Sequence, residues 1–220
     1  MLWLWALVLC ALLLATRAYA VVIRPIPPSR KKSPNATCGL AVFLGSGGHT
    51  SEALMLLDTL DFSRYTPRTY IVSEGDILSA EKATALERSH NSSNDSFRII
   101  TLPRARRVHQ SFISTPPTFL KSLVVSFNEL TFKPALKGRP FAEVVILNGP
   151  GTCVAVCLAA YLSRILGLPA PRIIYVESFA RVKSLSLSAK LLQPVVNKFI
   201  VQWPNILADR GRGECQGWLV

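Results

Sequence analysis

Groups commonly recruited for metal or redox chemistry are scarce here. Three histidines and five cysteines are scattered over 220 residues. Neither H-E-x-x-H nor C-x-x-C occurs, and Cys153 and Cys157, four apart, would share one helix face. An odd cysteine count, with Cys10 in an apolar run, argues for reduced thiols rather than a disulfide framework. No metal and no cofactor is expected. The usual nucleotide and hydrolase fingerprints are missing as well: no G-x-G-x-x-G, no P-loop ending in Gly-Lys-Ser/Thr and no G-x-S-x-G. Acid is also short, with 13 carboxylates against 25 lysines and arginines for a net +12, and residues 1–40 hold no acid at all. Apolar residues make up 50% of the chain, which excludes intrinsic disorder, and the length suits one α/β domain rather than two.

The charge is concentrated. Residues 1–40 carry five basic side chains, and residues 104–139 carry seven against one glutamate, so two segments hold nearly all of the excess. A basic patch attracts nucleic acid or anionic lipid alike. Each of these adjoins hydrophobic sequence, which favours a membrane surface and no nucleic-acid partner. The run "LWLWALVLCALLLATRAYAVVI", Leu2 to Ile23, is long enough to cross a bilayer core of about 30 Å as a helix. Its one charge, Arg17, lies near the far end, where it could snorkel. Ala18-Tyr19-Ala20 resembles a signal-peptide cleavage site, but no positive segment precedes the run and dense positive charge follows it. The expectation is a membrane anchor at 1–23, a basic proline-rich linker at 24–37 and a cytosolic domain at 38–220. In that orientation the sequons at Asn35, Asn91 and Asn94 are never glycosylated.

Beyond the linker, strand-like runs alternate with helical patterns. Strands are predicted at Leu40–Leu44, Thr69–Val72, Arg98–Leu102, Val144–Leu147, Ile173–Val176 and Phe199–Gln202. Helices are predicted at Ser51–Leu60, Ile77–Arg88 and Thr152–Leu166. This alternation predicts an α/β fold, one doubly wound parallel, Rossmann-like sheet behind a transmembrane helix. Ligands in such sheets lie beyond the carboxyl ends of the strands, so the strand exits matter most.

The first exit is "GSGGHT", Gly45 to Thr50. Gly47 and Gly48 would let backbone amides at a helix start approach an anion, with His49 beside them. A tight strand-to-helix turn without a ligand explains the same residues. The second exit carries Glu74 and Asp76, the third Arg104, Arg106 and Arg107, and the fifth Glu177. The fourth, "NGPGT", supplies Asn148, Gly149, Gly151 and Thr152, the last a candidate helix cap. His49 could serve as a cap, and Glu74 and Asp76 as turn residues. Together, glycine loops facing arginines form a site for a polyanion such as a diphosphate. Between Gln110 and Lys137 an apolar segment with flanking lysines has two compatible readings: a core helix of the sheet, or a helix whose outer face dips into the bilayer.

In order along the chain, "GSGGHT", "PRARRVHQS", "LNGPGT", "YVESFARV" and "KFIVQWP…GWLV" resemble the membrane-anchoring subunit of the endoplasmic reticulum UDP-N-acetylglucosamine transferase, which adds the second sugar of the dolichol-linked oligosaccharide. That family is the detached N-terminal, acceptor-side half of a GT-B glycosyltransferase, similar to the bacterial enzyme that makes lipid II. The resemblance implies a soluble, donor-binding catalytic partner, a GlcNAc-diphosphate-dolichol acceptor and residence in the endoplasmic reticulum membrane. Other glycosyltransferases of the pathway are further partners to consider. It also implies that the C-terminal tail docks the partner, with Trp218, Leu219 and Val220 as apolar anchors. His49 is then the leading candidate base or acceptor-bonding group, with Glu74 and Glu177 behind it. Gly47, Gly48, Asn148, Gly149, Gly151 and Thr152 would cradle a diphosphate, aided by Arg104 and Arg107. Two alternatives are a pure membrane scaffold and a self-sufficient anchored Rossmann-type enzyme.

Overall fold

The computed structural model describes residues 1–23, 33, 36–93, 96–107, 110–111, 113–138, 140–207 and 212–219. Most of the expected linker, the sequons' Asn35 and Asn94, and Val220 lie outside them. The chain begins with α1 (Leu2–Ile23), β1 (Leu40–Leu44), α2 (Gly48–Asp58), β2 (Arg68–Ser73), α3 (Ile77–Ser89) and β3 (Phe97–Leu102). Next come α4 (Thr115–Phe127), a π-helical turn (Asn128–Phe132) and the short α5 (Lys133–Ala135). The second half is β4 (Val144–Asn148), α6 (Thr152–Ile165), β5 (Arg172–Val176), α7 (Leu187–Leu192), β6 (Lys198–Val201) and the two-residue β7 (Glu214–Cys215).

All seven strands are parallel, in the order β3-β2-β1-β4-β5-β6-β7. A central parallel strand must bury both faces, and β1 is buried throughout. Its alternate residues divide the core. Leu40, Val42 and Leu44 join Ala53, Leu54 and Leu57 of α2 and Ala83 of α3 on one side. Ala41 and Phe43 join Cys153, Val156 and Cys157 of α6 on the other. Burial, with the neighbouring Cys157 second, pushes the Cys153 thiol up; burial pushes Cys157 to about 12. Both behave as packed apolar groups.

The 19-residue stretch Trp3–Val21 of α1 is long and apolar enough to cross a membrane; it is exposed up to Arg17, and Val21 near its end packs against the core. Arg17 reaches the end of a neighbouring helix. Its guanidinium donates to the Ile165 and Arg164 carbonyls, so a cation meets the negative end of α6. On the same side of the sheet α4 packs against α6 with its polar edge: Ser122 and Ser126 are fully buried, whereas Leu120 and Val124 are 59% and 60% exposed. Small serines permit close approach to α6. Phe132 and Leu136 extend the outward apolar face.

Candidate functional site

The strand order reverses direction between β1 and β4, so their exits flank the crevice where a doubly wound sheet takes its ligand. Leu44 and Asn148 end the two strands in register. The loops that follow press together, and a Cβ on Gly45 would lie 2.8 Å from the Asn148 carbonyl and 3.1 Å from Gly149 Cα. Those glycines serve chain packing. Ser46 turns at φ 67° and Gly47 at φ 57°, which is costly for serine and easy for glycine. Helix α2 then starts with no side-chain cap, leaving its first amides facing an open surface; a Cβ on Gly48 would touch nothing within 4 Å. Helix α6 also starts without a side-chain cap, at Gly151.

Asn148 is fully buried and joins the two loops. Its Nδ2 donates to Glu52 Oε2 at 3.0 Å, and its Oδ1 lies 2.7 Å from His49 Nδ1. A carboxylate can only accept, so the amide NH₂ must face Glu52 and the amide oxygen must face His49. A neutral His49 imidazole therefore carries its proton on Nδ1 and its lone pair on Nε2. Glu52 Oε1 accepts from Ser178 Oγ at 2.8 Å, and Oε2 also accepts from Phe179 N at 3.3 Å. Sequence reasoning did not single out Glu52. Its signal was the spacing His49-x-x-Glu52, which puts both side chains on one face of a helix.

The other expected residues sort by burial. Gly47 and Gly48 are exposed, while Gly149 and Thr152 are buried and build the crevice. Thr152 does not cap α6. It is the helix's first residue, and its hydroxyl accepts from Ala105 N at 3.1 Å. This bond carries the arginine loop back from β3 at the sheet edge over roughly three strand spacings, about 14 Å. Thr118 and Ser122 of α4 fasten that loop by donating to the carbonyls of Ala105 and Pro103. Arg104 Nε donates to the Glu74 carbonyl at 3.2 Å. Arg104, Arg107, Lys121 and Glu74 line an open groove of about 370 Å³ there. Asp76 is occupied as the cap of α3, accepting from Ser79 N and Oγ.

Glu177 is buried, and its carboxylate accepts from Ser178 N at 3.0 Å and Ser186 N at 2.8 Å. That arrangement turns it into the loop after β5 and away from the rim. Burial first, then the Glu177 charge, pushes the Tyr175 hydroxyl above the ordinary tyrosine range, so it stays protonated against the Gly149 carbonyl. At the C-terminus Leu219 N donates to buried Gln202 Oε1 at 3.2 Å. This seats Trp218 against Phe179 and Trp203, ring centroids 5.9 Å from each, with 72% of Trp218 still exposed.

Among known protein families, residues 40–219 match Alg14, described as "Oligosaccharide biosynthesis protein Alg14 like". A relative named UDP-N-acetylglucosamine transferase subunit ALG14, from Cryptococcus neoformans, is 49% identical over 200 residues, spanning 88% of this chain and 87% of that protein. The Schizosaccharomyces pombe protein of the same name is 45% identical over 204 residues, 93% of each chain. The solved structure of Acinetobacter baumannii MurG aligns with a TM-score of 0.48 at 16% identity, over 76% of this chain and 41% of that one.

Proposed function

This chain belongs to the Alg14 family, and from that membership we propose that it is the membrane-anchored, acceptor-side subunit of a UDP-N-acetylglucosamine transferase in dolichol-linked oligosaccharide synthesis. The observation that carries the acceptor role is the crevice between β1 and β4. Two helices start there without side-chain caps, and a histidine is held with one nitrogen free. In the proposed reaction the acceptor GlcNAc-diphosphate-dolichol lies with its diphosphate near the first amides of α2, at Gly47 and Gly48, and within reach of Arg104 and Arg107. His49 Nε2 takes the proton from the attacking sugar hydroxyl as that oxygen displaces UDP from the donor with inversion. The donor is held mostly by a soluble partner subunit, which docks on the tail at Trp218, Leu219 and Val220. Asn148, Gly149, Gly151 and Thr152 shape the crevice.

Residues 1–23 are the proposed anchor in the endoplasmic reticulum membrane, 24–37 the linker and 38–220 the catalytic half-domain on the cytosolic side. The outward apolar face of α4 flanks α6, against which the anchor packs, and so lies at the bilayer surface. The test is reconstitution in detergent. The purified chain alone should transfer no GlcNAc, and adding the soluble subunit should start transfer. His49→Ala should lower kcat by about 10²–10⁴-fold while the subunits still bind each other. Full turnover by the alanine variant would reduce this chain to a scaffold.

A further inference from the structure

We propose that Glu52 is the positioning residue that sets the tautomer and aim of His49, acting through Asn148. The inference rests on the reading of His49 as the base. The chain of bonds runs in one direction only. Ser178 Oγ and Phe179 N donate to the Glu52 carboxylate, which also accepts from Asn148 Nδ2; Asn148 Oδ1 in turn accepts from His49 Nδ1. The alternation starts at Glu52, because an amide is free to turn over and a carboxylate has no proton to offer. Without that acceptor, Asn148 can present NH₂ to His49 instead of oxygen. The imidazole would then carry its proton on Nε2, the atom that must accept the substrate proton. A group that fixes a base's tautomer without touching substrate is worth several orders of magnitude in the Ser-His-Asp hydrolases.

The same carboxylate reaches the tail. Phe179, whose amide Glu52 holds, packs against Trp203 and Trp218. The loop that steadies the base thus also floors the surface where the partner is proposed to dock.

The experiment uses the full chain, with ¹⁵N-labelled histidine, bound to its unlabelled soluble partner in detergent. Only three imidazoles need assigning, and His49→Ala identifies the relevant one. The expected wild-type state is Nδ1–H with an unprotonated Nε2. Glu52→Leu should populate Nε2–H and lower kcat about 10–100-fold, with the acceptor KM changed much less. Glu52→Gln should restore both, since its carbonyl can accept from Asn148 and Phe179 while its amide donates to Ser178 Oγ. A wild-type His49 protonated on Nε2 would overturn the proposal, even if Glu52→Leu did not fold. So would an Nδ1–H tautomer and kcat unchanged in Glu52→Leu. Normal turnover by His49→Ala would remove the base assignment instead and leave the tautomer result standing.

Discussion

Burying an arginine is expensive unless every donor finds an acceptor, and Arg68, at the start of β2, meets that condition. Its Nε and Nη2 clamp the Glu87 carboxylate at 2.6 and 2.7 Å, and Nη1 donates to the carbonyls of Phe62 and Tyr65, both at 2.8 Å. Tyr70 adds a third donor to Glu87 at 2.6 Å. Burial alone would raise the Glu87 carboxyl, but Arg68, Ser92 and Tyr70 outweigh it and hold it below the ordinary glutamate range. The depressed value means stability that is present at neutral pH and lost as pH falls below about 4. Arg68→Met, which strands the buried carboxylate, should cost about 3–5 kcal/mol in urea unfolding of the detergent-solubilised chain. Glu87→Gln should flatten the acid limb of stability against pH, and an unchanged limb would contradict the assignment. Such partners are invisible in sequence because 19 residues separate them without any helical or strand period. The candidate site was more legible. His49, Asn148 and the glycines stand at strand exits, whereas Glu52 has only its spacing from His49 in the sequence, and its bond to Asn148, 96 positions away, is visible in the fold alone.

Among the elements, six strands follow their apolar runs to within a residue or two; the inner ones bury both faces and read as short apolar runs between turn residues, whereas β3 at the sheet edge exposes Arg98, Ile99 and Thr101. The two-residue β7 has no such run and went unforeseen. Helix α2 begins at Gly48 rather than at the expected Ser51, since the turn that opens it relies on glycine and uses no capping side chain. In α4 the binary pattern is inverted, with serines inward and Leu120 and Val124 outward, and only packing against α6 could show it. The tail is the element on which assembly is proposed to depend. Trp218 stands on an aromatic floor of Phe179 and Trp203 with most of its surface uncovered, the profile of an interface anchor. Trp218→Ala should weaken partner binding by at least about 2 kcal/mol, on the order of 30-fold. Deleting residues 217–220 should release the partner into the soluble fraction while the anchored domain stays folded. Partner that still sediments with membranes carrying the truncated chain would disprove this docking surface.

The molecule as a whole combines a proposed anchor, two basic segments and a crevice proposed to be one half of a catalytic cleft. Arg17 ties α1 to the end of α6, and α6 begins at the crevice, so one helix connects the proposed bilayer contact to the proposed site of chemistry. Two segments carry nearly all of the +12 charge, and that asymmetry suits a lipid-linked, doubly phosphorylated acceptor at an anionic surface. Parallel topology was legible from the alternation of elements; the place of the switch point, between β1 and β4, and the return of the arginine loop from the sheet edge to Thr152 were not. The central claim is that the crevice between β1 and β4 receives the acceptor's diphosphate. Photo-crosslinking tests it most directly, with a GlcNAc-diphosphate-lipid carrying a photoreactive group beside the diphosphate, added to the assembled complex. Label is expected on peptides containing residues 45–52 and 148–152, competed by unlabelled acceptor and not by UDP-GlcNAc. Label confined to the partner subunit, or absent from both loops, would contradict it.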